Sequence, residues 1–102
     1  MNKLSSAQRS YLRRQAHHLE PVLLIGKNGI TDGTIVAVNK ALNAREMIKI
    51  KFREFKDNKK SISDKIATSA NCQVVGMIGH TVILFRQNPD PEKQNIRLPG
   101  IK

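Results

Sequence analysis

The chain has 102 residues, with 18 Lys and Arg against 8 Asp and Glu, so its formal net charge is +10 and its pI is near 10.3. This length suits one domain with one modest core. The single cysteine excludes an intramolecular disulfide, and no apolar stretch approaches the roughly 20 residues that span a bilayer. We expect a soluble, cytoplasmic monomer without a cofactor, and the basic pI favours a nucleic-acid partner.

The first predicted helix begins close to the N-terminus. Ser5 or Ser6 can cap it, because a serine hydroxyl accepts a hydrogen bond from a free N–H group of the first turn. Apolar residues then recur at helical spacing, at Leu12 and Ala16. Glu20 precedes a proline and is therefore disfavoured in the α conformation, so the helix is predicted to end there.

The apolar run VLLI at residues 22–25 is bounded by Pro21 and Gly26. A short, continuous apolar run of this kind predicts a strand that is buried on both faces, and hence a central strand. After the glycine loop, Thr31 or Asp32 can cap a second helix whose apolar residues again follow a helical spacing.

The segment EMIKIKFRE alternates between apolar and basic residues, which makes it the clearest strand in the sequence. One face carries Ile48, Ile50 and Phe52, and the other carries Lys49, Lys51 and Arg53. In a sheet with helices on one side, the open basic face could contact RNA phosphates. An ordinary solvated sheet face explains the same stripe, so both interpretations stay open.

Two further features complete the predicted fold. Ser61 and Asp64 form a capping-box pattern at the start of a short third helix, and two apolar runs joined by Gly79-His80 predict a hairpin with a type II′ turn. The order α-β-α-β-α-β-β predicts an α/β domain at residues 1–87, with a four-stranded mixed sheet packed against helices. The Pro-containing tail at residues 88–102 is expected to be extended or mobile.

The loop GKNG, Gly26 to Gly29, follows the first apolar strand. Asn28-Gly29 is also a strong hairpin signal, but the residues that follow become helical, which favours a strand-to-helix connection. There, glycines let a phosphate-bearing backbone approach, the helix N-terminus attracts anions, and Lys27 adds a charge. The spacing matches neither a P-loop nor a dinucleotide fingerprint. A G-x-x-G pattern is common in turns, so a purely structural turn stays an alternative.

Three segments together resemble a known family. LRRQAHHLEPVLLIGKNGITDG, ALNAREMIKIK and VVGMIGHTVILFR are similar, in this order, to the CRM domain in its stand-alone bacterial YhbY-like form, over residues 4 to about 86. The resemblance implies a fold similar to the C-terminal domain of bacterial initiation factor 3. It also implies a KH-like GxxG loop that clamps RNA, and a role with precursors of the large ribosomal subunit. Phe85 stands where the family often has Tyr, and His80 where the hairpin is often more basic, which weakens the case for RNA contacts from the hairpin.

The candidate RNA-binding residues combine the loop, the basic stripe and the polar side of the first helix. They are Gly26, Lys27, Asn28, Gly29, Arg13, Arg14, Lys49, Lys51 and Arg53. Aromatic residues make up 4% of the chain, with no Trp, so recognition is expected to depend on backbone charge and RNA shape rather than on base stacking. Tyr11, Phe55 and Phe85 are the aromatic side chains that could be available for stacking.

Chemistry at a metal or a nucleophile is disfavoured. His17 and His18 are adjacent on a predicted helix, so their side chains point about 100° apart and do not converge on one ion. Cys72 follows a predicted helix, whose negative end disfavours a thiolate. We therefore expect a non-enzymatic protein that binds structured RNA, namely precursor ribosomal RNA of the large subunit in a pre-ribosomal particle. The alternatives are a protein-interaction module docked on the ribosome, a DNA-binding protein, and an enzyme that uses Cys72.

Overall fold

A computed structural model describes residues 3–96 and residue 98. Its helices are α1 (Ser6–Ala16), α2 (Asp32–Arg45) and α3 (Lys59–Ala70), and its strands are β1 (Pro21–Ile25), β2 (Met47–Phe52), β3 (Gln73–Ile78) and β4 (Thr81–Phe85). Short 3-10 helices lie at Lys56–Asn58 and Pro91–Lys93. The predicted α/β class and the order α-β-α-β-α-β-β are confirmed.

The four strands form one mixed sheet in the order β1-β2-β4-β3. β1 runs parallel to β2, and the other two pairs are antiparallel. The prediction that β1 is central is wrong, because among the described strands β1 lies at the edge of the sheet, next to β2. Its apolar run is only partly used for the core: Ile25 is buried, whereas Leu24 is 51% exposed on the other face.

Each face of the sheet carries a hydrophobic core. The larger core packs α2 and α3 against the face that holds Ile48, Ile50 and Phe52. The second packs Leu12 and Ala16 of α1 against the opposite face. The expectation that helices cover one side only is therefore wrong, and α1 occupies part of the face that carries the basic stripe.

Local capping signals define the starts of two helices. The Ser5 hydroxyl accepts from the backbone N–H of Gln8, and Thr31 caps α2 in the same way through Thr34, so both predicted caps are confirmed. The predicted capping box at Ser61 is wrong. α3 begins two residues earlier, directly after the 3-10 helix, and the Ser61 hydroxyl inside it donates to the carbonyl of Asn58.

The end of α1 differs from the prediction, whereas the turn of the β3–β4 hairpin agrees with it. α1 ends at Ala16, earlier than the predicted stop at Glu20, and the backbone N–H of Leu19 closes the following turn on the Ala16 carbonyl. The hairpin between β3 and β4 turns at Gly79, whose φ is 59°, while φ of His80 is not positive. A positive φ at the first turn residue alone is what a type II′ turn requires, so that prediction agrees with the structure.

The described part of the C-terminal segment packs on the domain through Glu46. Glu46 follows α2 with a φ of 65° and is only 1% exposed. Its carboxylate accepts hydrogen bonds from the backbone N–H groups of Asn88 at 2.6 Å, Asn95 at 2.6 Å and Ile96 at 2.8 Å. The sequence-based expectation of an extended or mobile tail missed these anchors because they join positions more than forty residues apart.

The side chains of Ile96 and Leu98 also pack against the core beneath α1. Residues 97 and 99–102 lie outside the described residues, so part of the predicted tail is not covered. The division of the chain into a domain at 1–87 and a separate tail at 88–102 stays a prediction.

Candidate nucleic-acid interface

The GKNG loop connects β1 to α2, as predicted, and does not form a hairpin. The backbone N–H of Gly29 donates to the Gly26 carbonyl at 3.0 Å, and the φ of Gly29 is 61°, in the left-handed region. Lys27 and Asn28 are exposed at the tip. A Cβ atom built on Gly26 would have no neighbour within 4 Å, so the backbone at this position is open to an approaching ligand.

Backbone hydrogen bonds join the end of β2 to the base of the loop. The N–H groups of Arg53 and Glu54 both donate to the carbonyl of Ile25, at 3.0 and 3.1 Å. The chain then turns at Phe55, whose φ of 57° is also left-handed. This turn brings the Phe55 ring against the loop, because a Cβ atom built on Gly29 would lie 3.4 Å from the Cε2 atom of the ring.

The tip of the β3–β4 hairpin lies at the same end of the sheet. The backbone N–H of Phe52 donates to the His80 carbonyl at 2.7 Å. The ammonium group of Lys59, at the start of α3, donates to the Gly79 carbonyl and lies 3.3 Å from the His80 ring. We call this end of the molecule the basic end. Its cations are Lys27, Lys51, Arg53, Lys56, Lys59 and Lys60.

Positive charge is concentrated around His80 at this end. Desolvation is the largest of the effects that lower the pKa of His80, and neighbouring positive charges lower it further. The charged groups that act on the ring are Lys59, Lys56 and Lys51, which lower the pKa, and Asp57, which raises it. The lysines concentrated around the exposed ring form a surface suited to phosphate.

The predicted basic stripe divides into two parts. Lys51 and Arg53 are exposed at the basic end. Lys49 is half-buried, and its ammonium group donates to the Leu19 carbonyl at 3.0 Å, just after α1. The structure therefore uses Lys49 to hold the chain after α1 on the sheet and leaves the other two cations available.

Arg13 and Arg14 lie on α1, apart from the GKNG loop. The aliphatic part of Arg13 covers Gly76, where a Cβ atom would lie 3.0 Å from Arg13 Cδ, and its guanidinium donates to the Ser10 hydroxyl at 3.2 Å. Both arginines line a shallow groove with His17, His18 and Ile78. Ile78 directly precedes the hairpin tip, so this groove adjoins the basic end.

One row of residues on the sheet face remains uncovered by α1. This row links the basic end to the groove that Arg13 and Arg14 line. Strand pairing places Leu24 beside Lys51, Lys51 beside Thr81, and Thr81 beside Ile78. The apolar residues at the two edges, Leu24 and Ile78, are 51% and 56% exposed. Sequence reasoning missed this row because it depends on the strand order and register.

Cys72 is buried in the larger core, and Arg86 forms hydrogen bonds with the neighbouring helices. Burial raises the pKa of the Cys72 thiol to about 11, against an opposing effect of the Arg86 charge, so the thiol is protonated at neutral pH. The Arg86 guanidinium donates to Asn39 Oδ1 at 2.6 Å, to Asn43 Oδ1 at 3.0 Å and to the Ala70 carbonyl. These contacts join β4 to α2 and α3, and sequence reasoning gave Arg86 no role.

Residues 3–96 and 98 contain neither a candidate metal site nor a membrane-spanning helix. Within this part of the chain, no three His, Cys, Asp or Glu side chains are grouped so as to hold a metal ion. The rings of His17 and His18 pack edge to face, with centroids 5.7 Å apart. No helix in the same residues has the length and apolar character needed to cross a membrane.

The fold and the sequence together identify the family of this protein. The chain belongs to the CRS1/YhbY (CRM) domain family, whose model matches residues 4–86. The match covers all four strands and all three α-helices named above, and it ends at Arg86.

Relatives that match nearly the whole chain are named as RNA-binding proteins. It is 33% identical over 97 residues to YqeI of Bacillus subtilis, named a probable RNA-binding protein, with 94% of this chain and 99% of the relative covered. It is 36% identical over 100 residues to a protein of Haemophilus influenzae named RNA-binding protein, covering 97% and 98%. The solution structure of the hypothetical protein SAV1595 from Staphylococcus aureus is similar at a TM-score of 0.79 and 30% identity, covering 95% of this chain and 100% of that one.

Proposed function

We propose that this protein binds RNA without catalysing a reaction, and that the GKNG loop contacts the phosphate backbone. The observation that carries the proposal is the loop itself: exposed Lys27 and Asn28 stand on two glycines, one of them open to approach, ahead of a helix N-terminus. Such a loop presents N–H groups and positive charge to an anion without side chains in the way. The names of the relatives support RNA as the anion.

The basic end extends the contact beyond the loop. Lys51 and Arg53 are exposed beside the GKNG loop, and the lysines at the start of α3 add further charge. Neutralising several phosphates makes affinity fall steeply with salt, while phosphate contacts alone carry little sequence information. Strong salt dependence and modest sequence specificity are therefore the expected properties of the complex.

The resemblance to CRM domains supports a finer proposal. The GxxG loop acts like that of KH domains, on a fold similar to the C-terminal domain of initiation factor 3. The RNA is structured precursor ribosomal RNA of the large subunit in a cytoplasmic pre-ribosomal particle, whose assembly the protein assists. Arg13 and Arg14 contact the same RNA through the groove that adjoins the hairpin tip.

A matched pair of charge reversals tests the loop. Lys27→Glu changes the loop, and Lys40→Glu makes the same charge change at an exposed position within α2. Binding to large-subunit ribosomal RNA fragments is measured over a salt series for both variants and the wild type. We expect Lys27→Glu to weaken binding at least tenfold and to lower the log–log salt slope by about 1. Equal effects of the two variants would mean that the loop is only a turn.

A further inference from the structure

A groove beside the GKNG loop shares only Gly29 with the phosphate contacts proposed above. Gly29 and Ile30 form one wall, the exposed side of α3 forms the other, and Phe55 lies between them. The apolar residues of the groove are Phe55, Ile30 and Ile62. Ile30 and Ile62 pack against the larger core from its edge, whereas Phe55 belongs to neither core.

Phe55 is an exposed aromatic residue in a fixed position. Its side chain is 43% exposed, although burial would be the usual fate of a phenylalanine. The two preceding residues donate to the Ile25 carbonyl, and the Phe55 carbonyl accepts from the N–H of Asn58 at 3.0 Å. A bulky side chain at a left-handed φ is rare, and outliers of this kind concentrate at ligand sites.

The rim of the groove carries balanced polar chemistry. Lys65 and Asp64 contribute opposite charges, and Thr68 and Ser69 contribute hydroxyls. The Thr68 hydroxyl donates to the Asp64 carbonyl, so its oxygen remains free to accept a hydrogen bond. This rim differs from the surrounding lysine-rich surface, and its mixed donors and acceptors match the edge of a neutral heterocycle better than a phosphate.

We infer that this groove binds one unpaired nucleobase of the RNA, stacked on the Phe55 ring between Ile30 and Ile62. The inference rests on the proposed contact between the GKNG loop and phosphate. Because the Phe55 ring lies against Gly29, a nucleotide whose phosphate sits on the loop has its base within reach of the ring. Aromatic stacking adds affinity for any base, since every base has a flat π face.

The other two aromatic side chains considered from the sequence are less available. Phe85 is 1% exposed inside the core under α1, and Tyr11 is half-buried against the same core. The proposal therefore adds one stacked base to a recognition that is otherwise expected to depend on backbone charge and RNA shape. Each complex holds a single stacked base at the loop, alongside contacts to charge and shape.

The test compares two RNA strands of equal length and charge: a short oligouridine and a ribose-phosphate strand without bases. Phe55→Leu keeps an apolar side chain and removes the flat ring, while Phe55→Trp keeps the ring and introduces the only Trp of the chain. We expect the wild type to prefer oligouridine about tenfold. Phe55→Leu reduces this preference to less than about threefold with an unchanged salt slope, because no charge is altered. Phe55→Trp retains the preference, and only oligouridine quenches its fluorescence.

Lys27→Glu separates the two proposals. It weakens binding to both strands if the loop holds phosphate, whatever happens in the groove. A wild type that binds both strands equally, or a folded Phe55→Leu variant that keeps the full preference, would overturn the base pocket and leave the loop proposal intact. No binding of the wild type to either strand at low salt would likewise overturn the base pocket, whereas unchanged binding of Lys27→Glu to both strands would overturn both proposals.

Discussion

The backbone N–H of Asn95 donates to the carboxylate of Glu46 at 2.6 Å, a contact between residues 49 positions apart. With the bonds from Asn88 and Ile96, it gives a buried carboxylate three backbone donors. Hydrogen bonds to a charged group are stronger than those to a neutral one. Glu46 is thus the main anchor of the described C-terminal segment, although nothing in the local sequence separates it from a surface glutamate.

We predict that Glu46→Gln lowers the free energy of unfolding by about 2 kcal/mol or more. The amide has one accepting oxygen in place of two, and its NH₂ group would face a backbone donor, which leaves buried groups unpaired. Urea unfolding measures the loss, and hydrogen exchange at Asn95 and Ile96 locates it. Glu54→Gln is the matched control, because Glu54 is exposed. Equal losses for the two variants would contradict the anchoring role.

The two loop glycines should respond differently to alanine. Gly29→Ala is expected to destabilise the fold by about 1–2 kcal/mol, because its φ of 61° disfavours a side chain and its Cβ would contact Phe55. Gly26 has open space around it and no positive φ, so Gly26→Ala should change stability by less than about 0.5 kcal/mol. Thermal unfolding and RNA binding are measured together.

Gly26→Ala is the more informative variant for function. If a phosphate backbone approaches the loop at Gly26, the added methyl group weakens RNA binding while the fold stays as stable as the wild type. Unchanged RNA affinity for this variant would place the phosphate elsewhere on the basic end.

The same substitution at two lysines of β2 should separate stability from binding. Lys49→Gln removes the hydrogen bond to the Leu19 carbonyl and is expected to cost about 1 kcal/mol of stability. Lys51→Gln removes an exposed charge and is expected to lower the salt slope of RNA binding by about 1 without changing stability. The reverse pattern would show that the structural and binding roles are exchanged.

Stability in alkaline solution should depend on Cys72. The pKa of this thiol is raised to about 11 in the folded chain, so the thiol stays protonated there while it ionises in the unfolded chain above pH 9.0. Its contribution is therefore complete below pH 9.0 and is lost as pH rises towards 11. Compared with Cys72→Ala, the wild type should lose about 1.4 kcal/mol more between pH 7 and pH 10. Urea unfolding at the two pH values measures this difference. An equal loss of unfolding free energy in the two proteins would contradict the raised pKa.

Features that depend on near neighbours in sequence were predictable. Ser5 and Thr31 cap helices through residues three positions away, and the turn at Gly79 needs only its own backbone freedom. The alternation in β2 was also visible, since strand geometry alone sends successive side chains to opposite faces. The strand-to-helix connection at the GKNG loop was also predictable, because the residues that follow the loop become helical.

Features that depend on how the elements assemble were not predictable. The edge position of β1, and with it the exposure of Leu24, follows from strand order. The half-buried state of Lys49 follows from α1 crossing the second face of the sheet. Phe55 belongs to a charged segment, and its place against Gly29 comes from hydrogen bonds to β1, a strand distant in sequence.

The most direct test of RNA binding at the basic end is an NMR titration of the ¹⁵N-labelled protein with a large-subunit ribosomal RNA fragment. Binding there predicts that the largest amide shifts lie in the GKNG loop, at Lys51 to Phe55 and at the hairpin tip, with the second half of α2 unaffected. Shifts confined to the C-terminal segment or to α2, or no shifts at low salt, would contradict it.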